Sequence, residues 1–183
     1  MLDTTRQSIY LRFGALLDYP GPDLTRQARE CTALLAPIEP AAASHLEGFL
    51  AFVEHTSPGR LEEIYTGTFD VNPACYIFAG YLLFGESFKR GKFLVQLQEK
   101  YREHGFSAGN ELADHLAVMF RFLATLGPDD VLAHELVEDC LIPVLRTMSA
   151  GLTHDSENPN PYTYVLRAIL TTLESVTHAV PVA

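Results

Sequence analysis

Cysteine is scarce in this chain of 183 residues: Cys31, Cys75 and Cys140 are an odd number at wide spacing. Such a set argues against a disulfide framework and suits a reducing compartment. Each lies in an apolar stretch and is expected as a small buried hydrophobe. Long apolar runs are missing too. None approaches the length that spans a bilayer, so no stable membrane insertion is expected. Residues 1–10 carry Asp3, Arg6 and Gln7 and hold no uninterrupted apolar segment, unlike a secretory signal. A cytoplasmic location is therefore the expectation. Basic charge is in short supply: thirteen Lys and Arg against twenty-three Asp and Glu leave a net charge of −10. That surface repels duplex nucleic acid and anionic membranes and attracts a basic peptide.

The signatures of catalysis and metal binding are absent as well. No glycine-rich phosphate loop, GxGxxG or GxSxG occurs, and Gly91-Lys92 lacks both the preceding glycine and the following Ser or Thr. No CxxC pair is available for a zinc ribbon. None of the seven histidines has a glutamate three residues before it, as a bundle di-iron site requires. His134-Glu135 is followed by Glu138 where a zinc protease would need a second histidine. No catalytic residue, cofactor or metal is expected.

What is present is helical periodicity. Ile9, Phe13, Leu16 and Leu17 fall on one face of a helix that Tyr19-Pro20-Gly21-Pro22 ends. Asp23 precedes the stripe Leu24, Ala28, Cys31 and Leu35, and a third stripe runs through Leu46, Phe49, Leu50 and Val53. Ser57-Pro58 and Asn72-Pro73 are helix-start signals. Residues 74–84 are apolar nearly all round, which predicts a central buried helix. Leu94, Leu97 and Tyr101 face inward on a long helix over residues 87–104, whose other face carries the basic run Lys89-Arg90-x-Lys92, expected to be solvated. A helix through Leu112, Leu116, Met119, Phe120 and Leu123 follows. The next stripe runs from Leu132 to Met148 and contains Pro143, which should kink it. A last helix covers 162–177. No strand alternation is evident. The sum is an all-α, single-domain bundle of about eight to nine helices over residues 1–183, with a mobile polar loop at 152–161.

One polar cluster stands out. Glu111, Asp114 and His115 precede a strongly apolar helix, and Asp70 precedes a proline-started one. An acid beside an imidazole has two readings: decoration of a helix N-terminus, or an acid–base pair such as a small nucleotide hydrolase uses.

Three stretches add a resemblance. Tyr65-x3-Phe69-Asp70 is followed by Tyr81-x2-Phe84-Gly85-x4-Arg90-Gly91, then by Tyr101-x3-Gly105-Phe106 and Glu111-Leu112-Ala113-Asp114-His115-Leu116. This succession, densest over 65–126, resembles the delta-subunit (NarJ-like) type of nitrate reductase assembly chaperone, within the redox-enzyme maturation chaperones of molybdenum oxidoreductases. The family usually has proline before Asp-His. Here Ala113 stands in its place, which lets the following helix extend back through it. The resemblance implies an all-α fold, no catalysis of its own, and a client: the catalytic subunit of a molybdenum oxidoreductase, held by its N-terminal segment until the molybdenum cofactor is inserted. Cofactor-insertion proteins are further implied partners, and monomer and dimer both remain open. The implied client-peptide-binding residues are Phe69, Asp70, Tyr76, Glu111, Asp114, His115 and Leu116. A permanent structural subunit of an oxidoreductase complex is the alternative outside catalysis.

Overall fold

The computed structural model describes residues 2–152 and 159–178, so most of the expected loop at 152–161 lies outside the described residues. Among them the chain is helical throughout: α1 (Leu2–Leu17), α2 (Leu24–Leu35), α3 (Pro40–Glu54), α4 (Pro58–Phe69), α5 (Ala79–Phe84), α6 (Phe88–Glu103), α7 (Leu116–Leu123), α8 (Val131–Glu135), α9 (Ile142–Leu152) and α10 (Tyr162–His178). A π turn, Leu136–Leu141, joins α8 to α9 without a break. Counting that stretch as one helix gives nine among the described residues. Among the described residues no strand is formed, and there is one isolated bridge, between Phe78 and His115.

The stripes read from periodicity are the buried faces. Ile9, Phe13, Leu16 and Leu17 of α1 are buried, as are Leu24, Ala28, Cys31 and Leu35 of α2. Helix α1 packs on α2 and α7, α2 on α3, α3 on α10, and α10 on α9. Every residue of α7 except Arg121 is buried. A helix apolar on all sides must lie inside the others. Phe120 of α7 sits edge-on to Phe13 at 5.8 Å and near Tyr10 at 6.5 Å, which locks α7 to α1. A second aromatic group joins α4 to α10 through Tyr65, Phe69 and Tyr162, with Phe69 only 4.8 Å from Tyr162. The Tyr65 hydroxyl donates to the Leu17 carbonyl at 3.0 Å, satisfying an acceptor that the end of α1 leaves open.

Two expectations need correction. Residues 74–84 are not one helix. A 3₁₀ turn, Pro73–Cys75, capped by the Asn72 side chain, gives way to extended backbone at Tyr76 and Phe78 before α5 begins. The central helix is α7, not this one. Second, the helix through Leu112 does not start there. Residues 111–115 are turn and extended, His115 is the N-cap, and Ala113 stays outside the helix. Both departures have one cause, the pairing of 77–79 with 114–116. Near Pro143, which has no N–H and whose ring would meet the Asp139 carbonyl of a regular helix, the chain carries a π turn that ends two residues before it, at Leu141.

Phe120→Ala removes a fully buried ring from the α1–α7 contact. A loss of about 3–5 kcal/mol is expected, read as a lower urea midpoint at unchanged m-value.

Candidate functional site

The Asp-His segment is held by the backbone before it is held by side chains. The Ala79 N–H donates to the Asp114 carbonyl at 2.8 Å, and the Leu116 N–H donates to the Ile77 carbonyl at 2.9 Å. Ala79 and Leu116 are the first residues of α5 and α7, so each helix has its first orphan N–H satisfied by the chain leading into the other. The Tyr101 hydroxyl donates to the Ala113 carbonyl at 2.7 Å and fixes the turn before the crossing. An alanine is accommodated there as a buried residue, 1% exposed.

Asp114 itself has no exposed surface. Its Oδ2 accepts from Arg90 Nε at 3.0 Å. The Arg90 guanidinium lies over the Phe78 ring at 5.6 Å and the Tyr81 ring at 5.9 Å. A buried carboxylate requires such a partner, because desolvating an unpaired charge is far more costly than desolvating a pair. Gly80 makes the arrangement possible: a Cβ there would lie 2.7 Å from Asp114 Oδ2 and 2.9 Å from Phe93 Cδ1. Arg90 is therefore not part of a solvated face. It shares the inward stripe of Leu94, Leu97 and Tyr101 at i+4, i+7 and i+11, and that spacing was the available sequence signal.

His115 points away from Asp114. Its Nδ1 accepts from the Ala117 N–H at 3.2 Å, and its ring stands edge-on to Phe78 at 5.5 Å. Among the described residues no hydrogen bond joins Asp114 to His115, so the two do not form an acid–base dyad. Burial lowers the His115 pKa below its ordinary value, against the upward pull of Glu111, Asp18 and Asp114. The imidazole is neutral at pH 7, with the proton on Nε2. Leu116 is fully buried at the head of α7, and Phe69 is buried in the Tyr65–Tyr162 aromatic group. Tyr76 is half-buried and packs on Tyr81 at 4.8 Å. Asp70 and Glu111 are exposed. Together with Asp18 they lie close enough to Tyr65 to add to the rise in its phenol pKa that burial causes. Asp70 and Glu111 thus lie at the surface within electrostatic reach of Tyr65, whereas Asp114, Leu116 and Phe69 are buried.

All three cysteines are free and buried, with Cys31 and Cys140 pushed up to about 12 and Cys75 to about 11 by desolvation. No group of three or more potential metal ligands occurs among the described residues, nor a helix long and apolar enough to cross a membrane.

Arg90→Met should cost about 3–5 kcal/mol by leaving Asp114 buried without its cation, and adding Asp114→Asn should recover part of that loss in a denaturant titration. The second expectation concerns pH. With the folded pKa of His115 below 6.5, the unfolded chain takes up the proton first, so the stability tied to the neutral ring is complete above pH 6.5 and declines as pH falls below it. Melting curves between pH 7.5 and 5 should show a smaller acid-side loss for His115→Asn, which keeps a cap acceptor, than for the parent; His45, also lowered by burial, titrates in both and cancels.

The sequence matches the family described as nitrate reductase delta subunit over residues 35–152. It is 28% identical over 180 residues, 96% of this chain and 94% of the other, to a Bacillus subtilis protein named "Probable nitrate reductase molybdenum cofactor assembly chaperone NarJ". The Escherichia coli K12 protein named "Nitrate reductase molybdenum cofactor assembly chaperone NarJ" is 30% identical over 141 residues, 75% of this chain and 58% of that protein. In fold, the chain is similar to the crystal structure of a "Putative Redox Enzyme Maturation Protein" from Archaeoglobus fulgidus, with a TM-score of 0.61, 23% identity, and coverage of 92% of this chain and 93% of that one. The chain belongs to the nitrate reductase delta subunit family, the NarJ-like branch of the redox-enzyme maturation chaperones.

Proposed function

We propose that this protein is a dedicated assembly chaperone. It binds the N-terminal segment of the catalytic subunit of a molybdenum oxidoreductase and keeps that subunit competent for molybdenum-cofactor insertion before assembly or export. The observation that carries the reading is the end-to-end match to the Bacillus subtilis protein named as such a chaperone. The molybdenum cofactor belongs to the client, and the chaperone contributes binding without catalysis, in the cytoplasm. Proteins that insert the cofactor are its further partners.

The chemistry of the surface supports this reading. The excess of acids favours encounter with a cationic segment. Asp70 and Glu111 stand exposed beside the exposed apolar side chains of Val71 and Leu112, so charge and apolar contact are offered together. Tyr76 adds a partly open aromatic ring. Asp114, His115 and Leu116 serve the client indirectly, by holding the crossing and the start of α7 in place, and Phe69 does so by joining α4 to α10. The neutral, inward-turned His115 and the buried Asp114 speak against the hydrolase reading.

Co-expression of the tagged chain with the catalytic subunit of the host's nitrate reductase tests the proposal. The cofactor-free subunit should copurify with the chain, the mature complex should lack the chain, and Asp70→Lys with Glu111→Lys should reduce capture by roughly tenfold, as reversal of contacting charges does. Stoichiometric retention in the active complex would instead make the chain a structural subunit.

A further inference from the structure

Helix α6 has sixteen residues, of which Leu97 and Tyr101 are buried. Its inward side meets α5 and, through Arg90, the crossing at Asp114. The opposite side is open. Phe88, Lys92, Val95, Glu99 and Arg102 follow one another there at i, i+4, i+7, i+11 and i+14, and all five are exposed. Phe88 is 79% exposed and Val95 54%. Steps of four and three are the spacing of a seam between two paired helices, and a solvated face has no need of apolar side chains on it. Gly91 stands beside this seam. Glycine weakens a helix interior, and a Cβ at Gly91 would meet nothing in the chain itself. No internal contact calls for it, whereas the close approach of a second backbone would.

Charge is segregated along the seam. Lys92 lies in the N-terminal half, with its ammonium 5.1 Å over the Phe88 ring. Glu99 lies two turns later. Neither forms an ion pair among the described residues, whereas the neighbouring Lys100 is bound to Glu103 at 2.8 Å. A surface of one sign, such as an anionic membrane or a polycation, would satisfy one of the two and repel the other. A second α6 running antiparallel satisfies both. With a two-fold axis near Val95, Lys92 falls opposite Glu99 of the other copy, and symmetry makes the pair twice. Val95 then meets its own copy, and Phe88 meets the guanidinium of Arg102 across the axis, a favourable stack. In a parallel pair the Lys92–Glu99 flank would face Gly91 and Gln98, and the charges would go unanswered. Each copy carries −10 overall, but charges beyond about 8 Å are screened at physiological salt, so the pairs at the seam decide.

We propose that the outer face of α6 is a self-association surface, through which two copies of this chain pair antiparallel about Val95. The strip is about 24 Å long and one helix wide, at the small end of specific interfaces, so the dimer is weak, forms as concentration rises, and loosens with salt. The inference rests on α6 alone and not on the function proposed above. Sedimentation equilibrium of the full chain over a range of concentrations tests it, with helicity checked by circular dichroism. Lys92→Glu and Glu99→Lys should each weaken the wild-type dimer roughly tenfold, because each sets like charges opposite one another. They change net charge in opposite directions, so a common loss is not a net-charge effect. An equimolar mixture of the two single variants should form a heterodimer. The exchanged variant Lys92→Glu/Glu99→Lys should return to within about threefold of wild type, since the pair is reversed but intact. A wild-type chain that stays monomeric at every concentration overturns the proposal. A dimer that either single variant leaves unchanged also overturns it, in favour of another face or an exchange of helices. Loss in both single variants without recovery in the mixture or the exchanged variant overturns the antiparallel pairing on which the proposal stands.

Discussion

Two short stretches of extended backbone, 77–79 and 114–116, cross inside an otherwise helical protein, and the arrangement of the central helices depends on that crossing. It is small, one bridge and two hydrogen bonds. Its position gives it weight. Each bond satisfies the first N–H of a helix, α5 in one case and α7 in the other, so the two helices start from a common point and each caps the other. Within the two stretches the N–H groups of Ala79, His115 and Leu116 all find backbone acceptors, as backbone placed inside a core requires. The point from which α7 runs along α1 is set by this crossing.

The charge pair at the same place follows from the geometry. Bringing 114 against 79 presses its carboxylate onto the first turn of α5, where only a glycine leaves room. A buried carboxylate there needs a cation, and α6 supplies Arg90 from its inward stripe. The pair links α6 to the crossing. Its energetic worth lies less in net attraction than in the cost of breaking it, since either partner alone is left charged in a poorly solvated site.

Much of the fold was legible because most of it is amphipathic. Ile9, Phe13, Leu16 and Leu17 mark a face that is buried, and Ser57-Pro58 marks a start that α4 uses. What periodicity could not reveal is a contact between residues far apart in the chain. The run 74–84 is apolar enough for a buried helix, and only its partner at 114–116 decides that part of it is extended. The same limit applies to the site. Glu111, Asp114 and His115 read as one polar cluster because they are neighbours in sequence, whereas the turn splays them: Glu111 to solvent, Asp114 to Arg90, His115 to the N–H of Ala117. Arg90 was hidden for the opposite reason, standing between Lys89 and Lys92, which are exposed, while its own helical position faces inward.

The Asp-His motif is a structural part of the interior. A motif that touched a client directly would keep its acid and its imidazole at the surface. Here the acid is sealed, the imidazole is spent on a helix cap, and the leucine that follows is in the core. Those residues are constrained by the crossing, and the crossing fixes α6 and α7. The exposed acids lie elsewhere: Asp70 and Glu111 at one place on the surface, and Glu99, Glu103, Glu135 and Asp139 at another. Such charges can vary with the client while the interior stays unchanged, because surface carboxylates are hydrated whether or not they are paired, whereas the buried pair is not. The buried residues thus hold the shape of the molecule, and the exposed acids give its surface its charge.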